Sequence, residues 1–170
     1  MAASVETLFA PHCAPAAFID SMSRAVNGVS IVATDGPHGR FGLTVSSMTS
    51  VSASPPMLLV CVNRDAVPHD AIRANGHFSI NVLAANQQAM ANHFAGRTED
   101  AYTFDPASWD TSGSLPRLRQ ATAWFECRLS SAMSLGSHTV FVGEVVDACP
   151  GEEAPLLYTG RDYGRPVTLN

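Results

Sequence analysis

Residues 42–64 read GLTVSSMTSVSASPPMLLVCVNR, and two unlike halves meet in that stretch. The first fifteen residues, 42–56, hold seven hydroxyl side chains and end in a double proline. In an extended chain Thr44, Ser46, Met48, Ser50 and Ser52 share one face, because side chains alternate along a strand. The second half, MLLVCVN at 57–63, is a nearly continuous apolar run that suits a central strand. A strip of small hydroxyls beside a core strand is either a solvated edge or the wall of a polar ligand site. Ser54, Pro55 and Pro56 favour the second reading. A stiff segment poor in N–H donors breaks strand pairing and leaves backbone groups free to meet a ligand.

Outward from this stretch, strands alternate with short helices. PAAFIDSMSRAVNG (15–28) predicts a helix opened by Pro15 and closed before Gly28. Its Phe18, Ile19, Met22, Ala25 and Val26 form a stripe expected to lie on the core. VSIVAT (29–34), HFSINVL (77–83), AWFECRL (123–129) and TVFVGEVVDA (139–148) read as strands, with a bulge or bend at Gly143. PHDAIRANG (68–76) reads as a helix bounded by Pro68 and Gly76, and NQQAMANHFAG (86–96) as one capped by Asn86 and ended by Gly96. Residues 97–121 read as a long loop, of a length common in lids and interface arms. PLLYTGRDYGRPV (155–167) closes the chain with a short strand and a glycine turn. Residues 1–13 read as a loosely held arm and 14–170 as one domain. This pattern predicts a mostly β protein, an antiparallel barrel with appended α-helices.

Composition narrows the function. With a net charge of -5 and a pI near 5.6, the chain has no basic excess for a phosphate backbone, which argues against nucleic acid. Only 15% of residues are charged, which points to an apolar interface or pocket. Cysteines 13, 61, 127 and 149 form no C-x-x-C pair and read as free thiols in a reducing compartment. Neither a secretory signal nor an apolar run of roughly 20 residues is evident, so the expectation is a soluble cytoplasmic protein with no membrane partner. The six histidines are dispersed without H-E-x-x-H spacing, and no metal site is expected. Dinucleotide, phosphate-loop and G-x-S-x-G signatures are absent.

Five segments then matter together: the 42–64 stretch, HFSINVL, NHFAG, GSHTVFVGEV and PLLYTGRDYGRP. In order and spacing they resemble the short-chain flavin reductase family, the flavin-supplying partners of two-component aromatic monooxygenases. The resemblance implies a split β-barrel that forms a homodimer, and NADH-dependent reduction of FAD or FMN. The reduced flavin would pass to a monooxygenase acting on phenolic or other aromatic substrates. A flavin-binding electron carrier or sensor that keeps its flavin is the alternative on the same fold.

The resemblance also implies a site. Thr44, Ser46 and Ser47 would meet the isoalloxazine edge and ribityl chain, with Ser54 to Pro56 shaping the floor. Asn63 and Arg64 would hold ribityl and phosphate groups. His138 would lie by the nicotinamide, as the catalytic contact. Tyr163 and Arg165 would close that side, and Phe94 and Arg97 would stand where a helix ends at the pocket. Two positions depart from the family pattern: Asp65 stands where a small hydroxyl is usual, and Ser137 replaces an aspartate before His138.

Overall fold

The computed structural model describes residues 13–169, so the arm expected at 1–13 falls almost wholly outside the described residues. The chain runs α1 (Pro15–Ser23), β1 (Asn27–Gly28), β2 (Ser30–Thr34), β3 (Phe41–Val45), β4 (Thr49–Ala53), β5 (Pro56–Asn63), α2 (Pro68–Asn75) and β6 (His77–Val82). It continues with α3 (Gln88–Phe94), β7 (Trp109–Asp110), β8 (Arg117–Leu118), β9 (Ala123–Leu135), β10 (His138–Pro150), β11 (Leu157–Thr159) and β12 (Asp162–Gly164).

Seven strands form one antiparallel sheet in the order β3-β2-β6-β9-β10-β5-β4. Its two edge strands, β3 and β4, are consecutive in the chain and joined only by residues 46–48. A flat sheet of that width would hold its edges about 29 Å apart, whereas so short a link reaches about 14 Å. The sheet must therefore curl until β3 comes beside β5, as observed. The result is a split β-barrel, laddered around most of its girth and open between β3 and β5.

Strand alternation fills this barrel. Along β5, Leu58, Val60 and Val62 point inward to Phe78, Ile80 and Phe141, while Cys61 turns out toward the split. β2 is buried throughout. Its Val32 enters the barrel, and Val29 and Ile31 meet a second cluster built on Leu83, Phe94 and Trp109. Gly42 lets that cluster approach: a Cβ there would stand 2.8 Å from the Phe94 ring. The expected bend at Gly143 is present as a register shift against β9, and a Cβ there would meet Phe78 at 2.7 Å.

Several expectations need correction. α1 ends at Ser23, and its Phe18, Ile19 and Met22 are exposed among the described residues rather than laid on the core. The hydroxyl strip is two strands, turned at residues 46–48, so its members do not share one face. Ser54 and Pro55 make a hairpin turn, and Pro56 opens β5 opposite Ala53; the prolines start pairing rather than stop it. α3 begins after Gln87, not after Asn86. Residues 97–121 contain the β7–β8 pair and the fully buried Trp109, which makes this segment an anchored cover.

Candidate active site

The split between β3 and β5 is lined by polar groups in different states of satisfaction. Arg64 N–H donates to Ser137 O across β10, so alternation turns the backbone groups of Cys61 and Asn63 toward the split. Ser47 fills the missing ladder position at Cys61. Its Oγ donates to Cys61 O and accepts from Cys61 N–H, both at 3.0 Å. Thr44 Oγ1 donates to Ala91 O of α3 at 2.8 Å. Ser46 is exposed, and its hydroxyl has no protein partner among the described residues. Of Thr44, Ser46 and Ser47, only Ser46 is therefore unpartnered among the described residues, while Thr44 ties β3 to α3 and Ser47 ties the link to β5.

Two cavities meet at this serine. The larger, about 450 Å³, runs from Thr44, Ser46 and Ser47 past Cys61 to Asn63, Asp65 and His138. The smaller, about 170 Å³, shares Thr44, Val45 and Ser46 and extends to Arg97, Tyr158 and Tyr163. Their combined size and mixed lining, with Leu43 and Val45 beside the hydroxyls, suit a small-molecule site.

His138 opens β10 after a two-residue turn in which Gly136 takes φ 56. Ser137 Oγ lies 2.9 Å from His138 Nδ1, so the hydroxyl that stands in place of the family pattern's aspartate can orient the imidazole. At the other end, Asn92 Oδ1 accepts from both Tyr163 O–H at 3.1 Å and Arg97 Nη1 at 3.3 Å. Burial pushes the Tyr163 phenol pKa up, and the neighbouring Arg97 charge pulls part of the way back. Asn63 Oδ1 accepts from Asp65 N–H at 3.0 Å, fixing the turn that leaves β5. Cys127, inside the barrel, is held by burial as an inert thiol with its pKa pushed up to about 12.

The structure thus brings Thr44, Ser46, Ser47, Asn63, His138, Arg97 and Tyr163 to one cleft. The others lie outside its lining. Ser54 and Pro56 are exposed at the β4–β5 turn, roughly 17 Å along β5 from Cys61. Phe94 is fully buried against Phe104 and Trp109, behind Gly42 rather than in the cleft. Arg64 and Arg165 are exposed and line neither cavity. Cys61, Asp65, Asn92 and Tyr158 were not predicted as site residues. Alternation along β5 could have found Cys61, and adjacency to Asn63 could have found Asp65, whereas Asn92 and Tyr158 depend on contacts between distant segments.

A family model, "Flavin reductase like domain", matches residues 22–166. An FMN reductase (NADH) RutF from Stutzerimonas stutzeri is 42% identical over 147 residues, covering 85% of this chain and 84% of the relative. The NADH:FAD oxidoreductase SgcE6 of Streptomyces globisporus C-1027 superposes with TM-score 0.82 at 32% identity, over 94% of this chain and 99% of that one. BorF, the flavin reductase component of a bacterial two-component tryptophan halogenase, gives 0.79 at 32% identity, over 89% and 98%. Fold, cleft and sequence agree, and the chain belongs to the flavin reductase like domain family.

Proposed function

We propose that the chain is an NADH:flavin oxidoreductase whose flavin lies in the split of the barrel, across Ser46. The observation that carries this reading is the unspent Ser46 hydroxyl, shared by two cavities and set beside the outward backbone of Cys61 and Asn63. A flat heteroaromatic ring edged by carbonyls and ring nitrogens fits such a wall. Leu43, Val45 and Ala66 supply apolar contact to its face, while Ser46 and the Asn63 N–H supply donors to its edge.

Flavin and nicotinamide, when bound, would themselves supply the hydride-transfer chemistry. The chain's work is positioning. Ser46 and the Asn63 N–H offer hydrogen bonds to the ring edge on which negative charge grows. His138, held by Ser137, forms a wall of the larger cavity where the nicotinamide would stack. Arg97 and Tyr163, tied through Asn92, bound the other side. Asn63 and Arg64 stand at the end of β5, where ribityl and phosphate groups would leave the cleft. Hydride transfer needs no side-chain base, so Asp65 and His138, which both line the larger cavity, are not called on for proton transfer.

The working unit is a homodimer. Phe18, Ile19 and Met22 on α1, with Met133 and Leu135 near the β9–β10 turn, are large apolar side chains exposed in the single chain. Leu135 pairs with His138, so a partner seated there would roof the cleft and exclude water. Four unpaired thiols support a reducing, cytoplasmic setting. The consumer of the reduced flavin is a separate flavin-dependent monooxygenase acting on a phenolic or other aromatic substrate. Delivery of reduced flavin to a separate enzyme is supported by the two-component halogenase to which BorF belongs, and the aromatic monooxygenase by the motif resemblance alone.

The test is NADH oxidation by purified protein with and without added FMN or FAD, together with its absorption spectrum. Turnover that requires added flavin is expected. A yellow protein that does not oxidise NADH indicates an electron carrier instead, and a colourless protein that binds no flavin removes the flavin reading.

A further inference from the structure

The larger cavity has an uneven charge. Among the described residues Asp65 is its one carboxylate; it is exposed, lines the cavity, and has no salt-bridge partner there. Its backbone is pinned by the 3.0 Å bond to Asn63 Oδ1, which holds the residue at the mouth. No Lys or Arg lines this cavity, and the other titratable side chains there are His138 and Cys61. The lining cation of the site, Arg97, belongs to the smaller cavity beyond Ser46. Arg64, adjacent in sequence, is exposed outside the lining.

We propose that Asp65 is a specificity residue that opposes the phosphate of a bound flavin and so keeps the flavin exchangeable. The inference rests on the flavin reading above. A ribityl chain leaving the ring past Asn63 carries its phosphate toward an unpaired carboxylate of like charge. Ribityl hydroxyls can donate to that carboxylate, but a phosphate cannot unless it is protonated. The cost therefore falls on FMN and FAD and spares riboflavin. A loosely held flavin is what a reductase needs if its reduced product must leave for another enzyme.

Riboflavin and FMN binding to the full chain, followed by flavin fluorescence, separates the cases. Asp65→Asn removes the charge, and riboflavin binding reports that the variant is folded. FMN should tighten roughly 5- to 20-fold at low salt, while riboflavin changes less than about twofold. The gain should shrink in about 1 M NaCl, where the Debye length falls to about 3 Å. If both flavins tighten equally, or FMN affinity does not move, Asp65 has no such role although the flavin site stands. If wild-type protein binds neither flavin, the flavin reading falls and this inference with it.

Discussion

Two clusters of small polar side chains stand on the same sheet, one strand apart. On β6, Ser79 and Asn81 are fully buried, and their hydrogen bonds are spent on the chain itself. Ser79 Oγ donates to Pro116 O at 2.6 Å, and Asn81 Oδ1 accepts from Leu118 N–H at 2.8 Å. On β3 and the link after it, Thr44 and Ser47 are likewise spent, but Ser46 is not. The first cluster is sealed by the long segment 97–121; the second is left open by a link of three residues. A segment's length says little about function here, whereas an unpartnered polar group at a cavity says much.

If the comparison is right, the two clusters fail differently when altered. The largest effect is expected at Asn81→Ala, which strands the Leu118 N–H in the interior. Unfolding by denaturant should show a loss of about 2–4 kcal/mol, while the FMN dissociation constant of the remaining folded protein stays within about twofold. A change in FMN affinity with stability intact would move Asn81 into the site. His138→Ala should raise the KM for NADH about fivefold and that for flavin by less than about twofold; the reverse pattern would take the nicotinamide away from His138. Ser46→Val, the mildest, should weaken FMN about two- to fourfold and shift unfolding stability by no more than about 0.5 kcal/mol. Loss of stability at Ser46 without loss of affinity would erase the distinction between the clusters.

The sequence made local features legible. Pro68 and Gly76 bound α2 as expected, with Gly76 in the left-handed region at φ 73. The strand at 57–63 and the bend at Gly143 were also readable, although β5 alternates where its apolar run suggested burial on both faces. What stayed hidden depends on distant partners. Thr44 spends its hydroxyl on Ala91, 47 residues away, and Phe94 disappears behind Gly42. Of the expected apolar stripe, Phe18, Ile19 and Met22 lie on α1 while Ala25 and Val26 fall beyond its end, and periodicity does not say whether a stripe's partner lies in the same chain. The Ser54–Pro56 turn looked like a break in pairing because prolines lack a donor, yet a hairpin turn needs none there.

The most direct test is amide chemical-shift mapping of the full chain during titration with FMN. The largest changes should fall at residues 44–47, 61–66 and 138, with the β4–β5 turn silent. Changes confined to the clefts flanking Arg119 between β8 and β9, about 330 and 350 Å³, would contradict a flavin seated in the split.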